Sequence, residues 1–168
     1  MTMKRTSSDI QISSRAAQTA LNTFNQIEVD LSLSPLDNEI FVVTGLDLDT
    51  SPPDAVAGVD TDCQSYVSTT SQTGAVGIDS VNVLGANRLN IKAAGFADGG
   101  VGFTQRGGVA PTGDLGIIGY IATNNFFVGI DSTNCTTLQS ANVRVYGYRA
   151  RADAATYAAL VQSEVLSA

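Results

Sequence analysis

Residues 26–34, QIEVDLSLS, set Ile27, Val29, Leu31 and Leu33 against Glu28, Asp30, Ser32 and Ser34 at a strict period of two. Successive side chains of a strand point to opposite faces, so this alternation predicts a strand with one buried and one solvated face. SPLDN then supplies turn residues, and EIFVVTGLDLD, residues 39–49, reads as a second strand whose Leu46 and Leu48 oppose Asp47 and Asp49. TSPPDAVAGVDTD, residues 50–62, is a loop, because Pro52 and Pro53 offer no ladder donor.

The pattern continues outward through CQSYVSTTSQ, RLNIKAAG, LGIIGYIA, NFFVGID and SANVRVYGYRAR, each bounded by Gly, Asn, Asp, Ser or Pro. Seven or eight short strands within about 125 residues predict an all-β fold, a jelly-roll-like sandwich or barrel of antiparallel strands. ATNN, residues 122–125, is short enough for a hairpin turn. FADGGVGFTQRGGVAPTGD, residues 96–114, holds six glycines in nineteen residues and predicts a long mobile loop.

Three segments follow: an N-terminal arm or short helix over 1–25, a β-sandwich over 26–152 and a C-terminal helix over 153–168. In the first, Ser8 or Asp9 is a candidate cap for a helix through IQISSRAAQTALNTF, with Ile12, Ala16, Leu21 and Phe24 on one stripe. An extended arm that docks elsewhere is the alternative. In the last, Asp153 caps AATYAALVQSEVL, which sets Tyr157, Leu160, Val161 and Glu164 on one face. Ala155, Ala158 and Ala159 are expected to let that helix approach a sheet closely.

Hydrophobic residues make up 43% of the 168 and charged residues 15%, which excludes a disordered chain and leaves a large neutral surface. No apolar run approaches the ~20 residues of a membrane-spanning helix. The N-terminal MTMKRTSSDIQISS lacks the apolar centre of a signal peptide, so a cytoplasmic site of synthesis is expected. Cys63 and Cys135 lie far apart without metal or redox spacing and are expected to be buried free thiols.

Histidine is absent, and with it the commonest general base and the usual nucleophilic and zinc constellations. Neither a phosphate-loop motif nor any tryptophan for sugar stacking is present. The chain is therefore expected not to be an enzyme and to need no cofactor. Asp47, Asp49, Asp54, Asp60 and Asp62 form the densest carboxylate group, but their spacing matches no calcium loop, so a solvated acidic face is expected and no metal. Asn134-Cys135-Thr136 matches a glycosylation acceptor formally.

The net charge of −7 is uneven, with ten acidic residues and no Lys or Arg between Ala16 and Asn87. Basic residues gather near the ends, most densely in NVRVYGYRAR. Arg and Tyr are enriched at protein interfaces and nucleic-acid surfaces alike. Three arginines in so acidic a chain are a weak nucleic-acid footprint, so protein contact is expected. Arg144, Tyr146, Tyr148, Arg149, Arg151 and Tyr157 form the candidate subunit interface, at an edge of the sandwich facing the acidic stretch of a neighbouring copy.

The strand architecture of residues 26–151, with SYVSTTSQTG, NNFFVGIDSTN and the following ANVRVYGYRARAD, resembles the small jelly-roll virion proteins of bacterial and archaeal viruses. That resemblance implies a self-assembling capsid or capsid-decorating subunit, located in the virion, whose partners are its own copies and other virion proteins. No family residue carries over individually. Two alternatives stand beside it. One is a carbohydrate- or ligand-binding module of a phage fibre or appendage, with residues 95–113 as its mouth. The other is a filament subunit that completes a neighbour's sheet with its N-terminal arm.

Overall fold

The computed structural model describes residues 3–95, 103–106 and 116–168. These contain ten strands: β1 (Met3–Arg5), β2 (Ile10–Ala17), β3 (Asn25–Asp30), β4 (Glu39–Thr50), β5 (Thr61–Ser68), β6 (Val83–Lys92), β7 (Phe103–Arg106), β8 (Gly119–Ile121), β9 (Asn125–Thr133) and β10 (Ser140–Ala152). One α-helix, α1 (Ala154–Leu166), follows. The Gly-rich stretch expected to be a mobile loop lies outside the described residues, apart from β7.

Strands β2 and β10, β3 and β9, β4 and β8, and β5 and β6 pair antiparallel, first with last and inward. Two further ladders, β10 with β4 and β9 with β5, join these pairs into two sheets. Sheet A runs β2-β10-β4-β8 and sheet B runs β3-β9-β5-β6, with β1 added beside β10 and β7 beside β6. A long antiparallel ribbon rolled up in this way is the jelly-roll order.

The inner faces meet in one core that includes Phe41, Leu46, Val67, Phe126, Val128, Ile130 and Val145. Burying one such side chain stabilises the fold by roughly 1.5–3 kcal/mol. Tyr66 is buried on the other face of sheet B, lying across Gly129, its partner in register, and stacked on Phe24 at 6.3 Å.

The N-terminal segment corrects the sequence reading. Residues 10–17 form no helix and no free arm; they are a sheet strand paired with eight residues of β10. Ile10, Ile12 and Ala16 turn into the core while Gln11, Ser13 and Arg15 face water, a period-two pattern that the helix-forming alanines obscured. ATNN is likewise no hairpin turn. It carries the chain from β8 in sheet A to β9 in sheet B. Strand β3 stops at Asp30, because Ser32 adopts φ +50, yet Leu31 and Leu33 stay buried.

Strand β4 changes phase midway. Its partner β10 keeps one phase throughout, but the register jumps from Tyr146↔Gly45 to Gly147↔Val43, leaving Thr44 as an extra residue. Phe41, Val43, Leu46 and Leu48 all reach the core as a result, and Ile40 and Val42 point outward. NVRVYGYRAR reads as slipping in phase near its glycine, but the shift belongs to the neighbouring strand. Gly147 itself is forced, since a Cβ there would stand 2.1 Å from the Val42 carbonyl oxygen.

That outward pair is where α1 sits. Asp153 caps the helix, accepting from Thr156 N–H at 2.8 Å, as its sequence predicts. Tyr157, Leu160 and Val161 cover Ile40, Val42, Ala122, Ala150 and Ala152. The small residues that permit close approach belong to the sheet; Ala155, Ala158 and Ala159 face solvent. Glu164 is buried and accepts from Ala122 N–H at 2.8 Å and Thr123 N–H at 3.0 Å, while Asn82 Nδ2 donates to the Ser167 carbonyl at 2.7 Å.

Candidate functional site

The helix covers only part of sheet A's outer face. Beyond the bulge, three strands present three rows to solvent: Gln11, Tyr146 and Gly45; Ser13, Arg144 and Asp47; Arg15, Asn142 and Asp49. Their side chains share one face because the strand period is two on all three strands. The hollow over the last two rows measures about 620 Å³.

The chemistry of this surface is mixed and loosely bound. Arg144 Nε donates to Ser13 Oγ at 3.3 Å, Arg15 Nη2 to Ser140 Oγ at 3.4 Å, Asn142 Nδ2 to Asp49 Oδ2 at 3.3 Å and Tyr146 OH to Asp47 Oδ2 at 3.2 Å. Such lengths lie at or beyond the long end of ordinary hydrogen bonds. Among the described residues, none of Arg15, Arg144, Asp47 and Asp49 forms an ion pair. Tyr146 packs against Gly45, where an added Cβ would meet the ring at 3.2 Å.

Several charged groups elsewhere are committed to the fold. Arg149 turns inward at the sandwich rim, donating to the Leu31 carbonyl at 2.8 Å and the Ser32 carbonyl at 3.2 Å and pairing with Glu39 at 3.3 Å. Arg151 pairs with Asp37 at 2.8 Å, and Arg5 lies 4.4 Å from the centre of the Tyr148 ring. Tyr148 lies in the cluster beneath α1, and Tyr157 reaches into it from the helix. The six residues expected to form one interface therefore divide among three places, with Arg144 and Tyr146 on the open face. Strand β10 is an interior strand of sheet A, not an edge, so the acidic partners of Arg149 and Arg151 come from their own chain.

The five aspartates divide in the same way. Asp54 accepts from the backbone N–H groups of Thr136 and Thr137, each at 2.8 Å. Burial pushes its carboxyl up, but these and the threonine hydroxyls outweigh that and hold it below the usual range. Asp60 accepts from Ala94 and Ala93 N–H and is held below that range too. Asp62 pairs with Arg88. Among the described residues, no cluster of three or more His, Cys, Asp or Glu forms a metal-binding group. Cys63 and Cys135 are free and buried, and burial pushes the Cys63 thiol up to about 12.

Sequence alternation placed Arg144 and the pair Asp47 and Asp49 on solvent faces, but their meeting depends on the pairing of β10 with β4. Arg15 was missed because its strand was read as a helix. The signal was present in Ile10, Ile12 and Ala16.

No family model matches the chain, and no curated protein does. Among solved structures, one titled Desmodium yellow mottle tymovirus overlaps it with a TM-score of 0.29 at 12% identity, covering 88% of this chain and 90% of that one.

Proposed function

We propose that this chain is a structural subunit of a virion, a self-assembling jelly-roll tile or a subunit that decorates a shell, made in a host cytoplasm. Its partners in this reading are further copies of itself and other virion proteins, and it performs no catalysis. The observation that carries the reading is a set of large apolar side chains left in solvent around the end of α1. Val81 is 84% exposed, Leu166 74% and Val165 61%. The Asn82–Ser167 hydrogen bond holds Val81 and Leu166 in one neighbourhood, each next in sequence to a bonded residue.

A folded chain with a well-filled core has no internal use for such a group, and clustered exposed apolar residues mark association surfaces. Among the described residues no helix is long and apolar enough to cross a membrane. The test is the pair Val81→Asp and Leu166→Asp, compared with the parent by light scattering across concentration. Exposed substitutions of this kind change stability by no more than about 0.5 kcal/mol. The parent should form defined oligomers or particles that the double variant cannot. Equal masses for the two would sink the reading.

A further inference from the structure

We infer that the open half of sheet A's outer face is a binding site for a carboxylate-bearing sugar, such as a uronic acid unit of an acidic glycan. The ligand class follows from what the surface rejects as much as from what it offers. Arg15 and Arg144 attract an anion, but Asp49 and Asp47 lie on the same two rows. Paired strands stand about 4.8 Å apart, so an anion held by Arg144 lies beside Asp47 on the adjoining strand, and a compact polyanion such as phosphate would meet that carboxylate. A simple cation would meet the reverse. The surface suits a ligand with one anionic group and several hydroxyl donors a few ångströms away.

An arginine fork binds a carboxylate with two parallel donors. The four oxygens of Asp47 and Asp49 accept from hydroxyls, and Asn142 and Ser13 can do either. The rows repeat roughly every 6.8 Å along the strands, a distance that one pyranose ring spans. Tyr146 distinguishes a sugar from an amino acid. Its ring packs beside Gly45 and is half-exposed one row from Arg144, so an aromatic surface stands next to the arginine for the C–H side of a pyranose. It supplies the stacking platform that the absence of tryptophan seemed to deny. The long hydrogen bonds on this face leave its donors and acceptors free to be re-formed around a ligand, whereas those of Asp54, Asp60 and Glu164 are short and fixed.

The test is calorimetric or NMR titration of the full chain with glucuronate, with glucose and acetate as controls. Glucuronate should bind more tightly than either control, and Arg144→Ala and Asp47→Ala should each weaken it about tenfold, as loss of a charge-assisted hydrogen bond does. Arg151→Ala, which removes a charge away from the hollow, should leave it unchanged. Equal binding of acetate, no binding of glucuronate, or indifference to Arg144→Ala would overturn the inference. Should Arg144→Ala fail to fold, Arg15→Ala on the exposed strand β2 gives the same readout. Light scattering on the titrated sample keeps the two proposals apart: a monomer that binds glucuronate removes self-assembly and leaves the sugar site, and an assembly that ignores glucuronate does the opposite.

Discussion

Strands β10 and β4 run through both halves of one sheet face, yet the halves have opposite fates. Above the bulge at Thr44, Ile40, Val42, Ala150 and Ala152 lie under α1. Below it, Asn142, Arg144, Asp47 and Asp49 stand in water. On β10 the outward residues themselves change, and on β4 one extra residue makes the difference. It moves the apolar positions of β4 from the odd to the even numbers, so the same strand keeps the core filled while changing what it shows outside. A chain can thus use one sheet face for its own folding and reserve the remainder for contact.

The largest break in that comparison comes from removing residues 154–168. Ile40, Val42, Tyr120 and Tyr148 would then be uncovered as an apolar patch, and we expect aggregation or loss of the cooperative unfolding transition, followed by calorimetry. Gly147→Val is next. Its first side-chain atom would collide with the Val42 carbonyl and the Phe41 ring, and a loss of about 3 kcal/mol or more is expected from denaturant unfolding.

Glu164→Ala sharpens the comparison by loosening the helix without deleting it. The N–H groups of Ala122 and Thr123 lose their acceptor inside the protein, at a cost of about 3 kcal/mol, and Glu164→Gln should recover part of it. On the open half, Arg144→Ala should leave denaturant stability within about 0.5 kcal/mol of the parent, since no ion pair is lost.

The smallest effect concerns Asp131 on sheet B, where burial pushes the carboxyl above its ordinary value and nearby Asp62 adds to the shift. Its folded pKa exceeds its unfolded one, so ionisation weakens the fold above the folded pKa, and that penalty disappears as pH falls through it. Asp131→Asn should therefore be slightly more stable than the parent at neutral pH, with the gap closing in acid. A gap that widened on acidification would contradict the assignment.

Much of the architecture was legible because it rests on period-two burial, which QIEVD, GLDLD and NVRVY display directly. The C-terminal helix was legible too, down to Asp153 and the face bearing Tyr157, Leu160, Val161 and Glu164. What escaped depends on tertiary pairing. β2 reads as a helix because Ala16 and Ala17 favour one locally, and only the β10 ladder overrides them. β8 is three residues long, too short to show a period. The open face joins β10 residues to partners 93 to 131 positions away, and alternation tells which way Arg144 and Asp47 point without telling that they are neighbours.

The most direct test of the account is the mass of the untagged protein by light scattering over rising concentration, with negative-stain imaging of the same fractions. Regular particles, rings or stable oligomers are expected, with the sandwich intact by circular dichroism. A clean monomer at every concentration and salt would contradict self-assembly as the purpose of this fold.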